Sequence, residues 1–140
     1  MTVHKIILPA RPEHLSIINR FLEEEAPEAF RGKLNKIKMA VEELLMNVFH
    51  YAYAPEVNGQ AQIGCRLVFL DEQVFFRVDV CDWGRPYNPF AEAPPPDLHA
   101  SLEDRRIGGL GLHLVKKFVA HYVYSRCMDT NDVELFFAPD

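Results

Sequence analysis

Apolar residues recur along this chain with two different periods, and the changes of period divide it into elements. His4 to Leu8 reads as a first strand, ended by Pro9. Pro12 suits the first turn of a helix reaching about Glu25, with Ile17, Ile18, Phe21 and Leu22 as its apolar stripe and Pro27 as its stop. Leu34, Ile37, Val41, Leu44, Leu45 and Val48 predict a longer helix from Lys33 to about Tyr53, closed by Pro55 and the turn pair Asn58-Gly59. The pattern then shortens to period two. Gln62 to Leu70 and Val74 to Val80 read as strands, and the short link Asp71-Glu72-Gln73 requires an antiparallel hairpin. Phe76, Val78 and Val80 alternate with Arg77 and Asp79, as a sheet with one buried face demands.

From Asp82 to Ile107 no period survives, and five of the ten prolines fall between Pro86 and Pro96. A loop this long in a small domain is usually functional or mobile. Helical spacing returns with Leu110, Leu112, Leu114, Val115, Phe118 and Val119, predicting a helix from Gly108 to near His121. Val123 to Cys127 and Val133 to Phe137 close the chain as strands. Phe136 and Phe137 point to opposite faces of the last strand, which leaves one of them for exposure at a partner surface. Strand, two helices, hairpin, long loop, helix, hairpin is an α+β order. It predicts one domain over 1–140, a two-layer sandwich in which helices cover one face of a mixed, mainly antiparallel sheet.

Composition narrows the function. The 140 residues are 49% hydrophobic and 25% charged, enough for a real core and unlike a disordered chain. Fifteen Lys+Arg against twenty Asp+Glu leave a net charge of −5, which argues against nucleic acid as a direct partner. A local phosphate site remains open, because backbone N–H groups bind phosphate without a basic composition. No apolar run has the length of a membrane span, and Pro9 and Pro12 interrupt the N-terminal apolar stretch, so a cytoplasmic protein with no membrane partner is expected. Cys65, Cys81 and Cys127 are scattered with no CxxC pair, which fits reduced thiols rather than a disulfide framework or a zinc site. The six histidines have no metal-ligand spacing, and Ser16, Ser101 and Ser125 lack a nucleophile-elbow context.

Three short segments carry candidate chemistry. In the second helix Glu43 and Asn47 are four residues apart and share a face with Ala40 and Tyr51. The Asn oxygen is a hard ligand suited to Mg²⁺, and the carboxylate can take a proton from a nucleophile; an ordinary solvated polar face is the competing reading. Asp82-Trp83-Gly84 follows a strand, where the carboxylate can accept from a ligand amino group and Gly84 lets a ligand approach the backbone; a plain Asp-x-Gly turn competes. Gly108, Gly109, Leu110 and Gly111 open the third helix, where converging N–H groups and the helix dipole attract an anion; a loose helix start competes. There is no GxxxxGK[ST] and no G-x-G-x-x-G after the first strand, so P-loop and dinucleotide sites are disfavoured.

Glu-x-x-x-Asn on a helix, then Asp-x-Gly-x-Pro after a strand, then Gly-Gly-Leu-Gly-Leu at a helix start resembles the GHKL (Bergerat-fold) ATP-binding superfamily. The phrases AVEELLMNVFHYAY, DWGRPYNPF and RRIGGLGLHLVKKF resemble most the bacterial anti-sigma factors that are also serine protein kinases. The resemblance runs over nearly the whole chain. It implies that Asn47 holds Mg²⁺ between the phosphates of ATP, that Glu43 is the general base, and that Asp82 accepts from the adenine amino group with Gly84 close to the base. It further implies that Gly109 and Gly111 bracket the phosphates around Leu110, that Gly108 is a hinge, and that about 87–107 is the ATP lid. Arg105 and Arg106 stand just before the glycines and are candidates, by position, to reach a terminal phosphate.

There are departures. Ala52 fits the small residue that this family places before a Tyr, but the His expected four residues after Asn47 is Tyr51 here, with His50 one place earlier. The Thr expected near the start of the final strand, supporting the adenine-binding Asp, corresponds to the region of Thr130. The resemblance implies a kinase that phosphorylates a STAS-type anti-anti-sigma partner and otherwise sequesters a sigma factor, possible homodimers included. A nucleotide-binding module without kinase activity is the alternative. An isolated histidine-kinase ATPase domain is a third reading, weakened because no phosphoacceptor hairpin is expected ahead of the first strand.

Overall fold

A computed structural model describes residues 4–92 and 109–140. Five strands form one sheet: β1 (His4–Pro9), β2 (Gln60–Leu70), β3 (Gln73–Asp82), β4 (His121–Cys127) and β5 (Thr130–Phe137). Their order is β1-β2-β3-β5-β4, and all four pairings are antiparallel, so the parallel component allowed for by a mixed sheet is absent among the described residues. Three helices, α1 (Leu15–Glu25), α2 (Leu34–Asn47) and, after the short α3 (Pro89–Glu92), α4 (Gly109–Phe118), bring their apolar stripes to one face.

Strand parity decides which residues meet them. Ile63 pairs with Val80 and Cys65 with Val78 across β2–β3, while Val80 pairs with Val133, Val78 with Leu135 and Phe76 with Phe137 across β3–β5. All of these side chains are buried, together with Ile37, Val41, Leu44 and Leu45 of α2 and Leu112 and Val115 of α4. Burying this contiguous apolar set is the main stabilising term.

The structure differs from the sequence expectation at several places. Pro12–His14 forms a separate 3-10 turn before α1, and α2 ends at Asn47 in a π turn, Val48–Ala52. The third helix stops at Phe118, because His121 already pairs with Phe136 in the ladder. Phe136 is not left exposed: on the sheet face away from the helices its ring packs edge-on to Phe75 and His121. The 82–107 stretch is not irregular throughout, since Pro89–Glu92 is helical. No helix of the described residues is long and apolar enough to cross a membrane, and all three cysteines are free thiols.

Candidate functional site

The three sequence segments meet along the C-terminal half of α2 and the π turn that follows it. Asn47 is the last residue of that helix and has no exposed surface. Its Nδ2 donates to the Glu43 backbone carbonyl at 2.8 Å, which fixes the amide and leaves Oδ1 buried with no hydrogen-bond partner among the described residues. A buried acceptor without a partner costs roughly 1–3 kcal/mol, so it marks a place where a ligand atom is wanted. An amide oxygen held this way fits Mg²⁺, a hard cation that takes oxygen donors.

Glu43 lies one turn earlier on α2 and is partly buried. Burial pushes its carboxyl above the usual carboxylate range, and the neighbouring Glu42 charge adds in the same direction. Facing it is Gly111, in the first turn of α4, where a Cβ would run into the Glu43 carboxyl group. Glycine at this place is therefore a matter of space: it lets the helix start close over the carboxyl.

Asp82 ends β3 and is 3% exposed. Its Oδ1 accepts from the Gly84 N–H at 2.9 Å and from Asn131 Nδ2 at 2.9 Å. Burial raises the Asp82 carboxyl, while these two donors and Arg126 pull it back down. The turn that follows is held to the π turn after α2 and to Tyr53. Arg85 N–H donates to the Ala52 carbonyl at 2.9 Å, and any Cβ on Gly84 would strike that same Ala52 backbone. Trp83 N–H donates to the Tyr53 hydroxyl at 2.8 Å, which in turn donates to the Gln60 carbonyl at 2.6 Å.

Residues 8–137 match the histidine kinase-like ATPase domain family. The chain belongs to that family. It is 31% identical over 114 residues to the serine-protein kinase RsbW of Listeria monocytogenes serovar 1/2a, an overlap of 78% of this chain and 70% of that protein. Its fold is also that of a solved structure of the RsbU and RsbW domains of Rv1364c from Mycobacterium tuberculosis, with a TM-score of 0.60 over 99% of this chain at 14% identity. The chain spans about a third of that longer protein, 33% of its length.

Within this histidine kinase-like ATPase domain the sequence-derived positions fall into two groups. Glu43 and Asn47 lie on α2 with Gly111 against Glu43, Asp82 and Gly84 lie beside the π turn that continues α2, and Gly109 and Leu110 begin α4. Arg105, Arg106 and Gly108 lie outside the described residues, as does most of the stretch expected to form the lid. The described start of that stretch is fixed in place. Tyr87 is buried and stacks on Tyr51 with ring centres 5.5 Å apart, Phe90 stacks on Tyr122 at 4.2 Å, and Lys116 Nζ donates to the Phe90 carbonyl at 3.2 Å. Residues 87–92 are thus packed against the body of the domain.

Thr130 does not support Asp82. Its hydroxyl donates to the Cys127 carbonyl at 2.9 Å and meets Asp132 Oδ2 at 2.8 Å. The support comes from Asn131, which sits directly opposite Asp82 in the β3–β5 register. The signal for this was present in the sequence. Val133, Leu135 and Phe137 face the core, so period two puts residue 131 on their side and residue 130 on the other. Tyr53 and Arg126 carried no comparable signal. Arg126 donates to the Gly84 carbonyl at 2.8 Å, a contact between distant parts of the chain. A hollow of about 670 Å³ on the open sheet face, bounded by Phe75, His121, Val123 and Phe136, contains none of these residues.

Proposed function

We propose that this domain binds ATP with Mg²⁺ and transfers the terminal phosphoryl group to a serine of a partner protein, the partner being a STAS-type anti-anti-sigma domain. The observation that carries the reading is the unpartnered, buried Oδ1 of Asn47 one helical turn from the desolvated Glu43 carboxyl, with Gly111 closing on that carboxyl. Phosphoryl transfer asks a protein chiefly for positioning and charge stabilisation, and this arrangement supplies both.

Each residue has a task in this reading. Asp82 Oδ2 accepts the adenine amino group, and Gly84 keeps the base-side wall free of side chains. Asn47 Oδ1 would hold Mg²⁺, which when bound offsets phosphate charge. The N–H groups at the start of α4, around Gly109 and Gly111, face the phosphates with the positive end of the helix dipole. Glu43 takes the proton from the attacking serine hydroxyl, and burial, by raising the carboxyl's affinity for a proton, makes it a stronger base than an exposed carboxylate. Arg105 and Arg106 would reach the terminal phosphate. The likeness to a serine-protein kinase supports the transfer to serine. We place that transfer in a cytoplasmic partner switch, in which the unphosphorylated partner and a sigma factor compete for the domain, alone or as a homodimer.

The test is transfer of labelled phosphate from ATP to a STAS-type anti-anti-sigma domain of the same organism. Label appears on a serine with the unaltered protein and falls by about 10²–10⁴-fold with Glu43→Ala, while nucleotide binding persists. Transfer that survives Glu43→Ala contradicts the assignment of the base.

A further inference from the structure

We infer that Asn131 sets the base selectivity of this site by capping one oxygen of Asp82, so that the carboxylate reads a single donor and not a pair. The inference rests on the adenine-nucleotide reading above.

Asn131 is buried, at 1% exposure. Its Nδ2 donates to Asp82 Oδ1 at 2.9 Å and to the Arg85 carbonyl at 2.8 Å. Its Oδ1 accepts from the Tyr87 N–H at 3.1 Å and from the Tyr124 hydroxyl at 2.6 Å. A carboxamide has two N–H donors and two acceptor lone pairs, and all four are in use. Asn131 therefore has nothing left to offer a ligand. It is a positioning residue that acts through Asp82.

The consequence lies in how the two Asp82 oxygens differ. Oδ1 receives both Asn131 Nδ2 and the Gly84 N–H, which fills its two lone pairs. Oδ2 has no hydrogen-bond partner among the described residues. Guanine presents N1–H and the 2-amino group side by side, and an uncapped carboxylate takes both, one on each oxygen. Adenine presents its 6-amino group beside the N1 acceptor, so one free oxygen suffices. With Oδ1 filled, the second guanine donor has no acceptor. A threonine at this position could cap Oδ1 with its hydroxyl, but a single O–H cannot also hold the Arg85 carbonyl. Asn131 thus ties together the base-reading carboxylate, the 85–87 segment and β4 in one network.

The experiment measures binding of ATP, GTP and ITP, each with Mg²⁺, by competition against labelled ATP. ITP has the N1–H of guanine but lacks the 2-amino group, so the GTP-to-ITP affinity ratio reports whether a second acceptor is open. In the unaltered protein ATP binds best, and GTP and ITP bind alike. In Asn131→Val the GTP-to-ITP ratio rises by about tenfold or more, the worth of one hydrogen bond to a charged group. General structural damage lowers all three affinities and leaves that ratio unmoved. A ratio of about tenfold already in the unaltered protein overturns the inference, and this arm needs no variant to fold. An unchanged ratio in a folded Asn131→Val also overturns it, with the ATP reading intact. Absence of ATP binding by the unaltered protein overturns both.

Discussion

Gly111 occupies a place where any Cβ would overlap the carboxyl group of Glu43. The start of α4 and the middle of α2 are therefore fitted to one another through a missing side chain. The obstructing group is the far end of a flexible Glu, which can swing aside at small cost. Gly111→Ala should then leave stability within about 1 kcal/mol of the parent, since Ala is also the better helix former. Phosphoryl transfer should fall towards that of Glu43→Ala, by about a hundredfold. Thermal melting beside single-turnover rates checks this, and full activity in Gly111→Ala would show that the Glu43 position is not critical.

Gly84 is a different case, because its obstruction is backbone. A methyl group there meets the Ala52 carbonyl, which already receives the Arg85 N–H. Gly84→Ala should destabilise the fold by about 1–3 kcal/mol, the usual range for overpacking a filled space. Nucleotide affinity should drop with it, because the displaced turn carries the N–H that holds Asp82 Oδ1. Urea denaturation and ATP titration of the same preparation give the two numbers.

Asn47 trades stability for function. Its Oδ1 is buried with no partner, a cost that an apolar side chain of similar volume removes. Asn47→Leu is expected to melt no lower than the parent, although Nδ2 no longer reaches the Glu43 carbonyl. The Mg²⁺-dependent part of ATP binding should vanish. A variant that loses stability and keeps that dependence would remove Asn47 from the metal site.

The acidic side of the pH profile follows from the two raised carboxyls. Burial lifts Glu43, with Glu42 adding to it, and burial also lifts Asp82. A carboxyl raised by folding binds more protons folded than unfolded. Its contribution to stability is therefore present below the ordinary carboxylate value and is lost as pH rises through the raised one. Activity runs the other way, because the base must be ionised. Glu42→Gln removes the neighbouring charge, so the acid limb of the phosphoryl-transfer rate should move to lower pH. An unmoved limb would assign it to another group.

Much of this arrangement is legible in the sequence, for reasons that can be named. The β2–β3 hairpin follows from a link of two turn residues, Asp71 and Glu72, both with positive φ. The face of Glu43 and Asn47 follows from helical spacing, which is local. What escaped is non-local. The Tyr53 hydroxyl bridges Gln60 and Trp83, and Arg126 reaches back to Gly84, contacts that no short-range pattern encodes. The family pattern points to the region of Thr130 for the support of Asp82, and strand parity selects Asn131 within it. Val119 continues the apolar period and so extends the expected third helix, while the pairing of His121 with Phe136 ends the helix first.

The most direct test of the account is calorimetric titration of ATP into the full chain, with and without Mg²⁺, beside Asp82→Asn. Binding should depend on Mg²⁺ and collapse in the variant, whose amide cannot both accept from Asn131 and Gly84 and present an acceptor oxygen to the base. ATP binding that is absent at millimolar concentration, or is unchanged in Asp82→Asn, would contradict it.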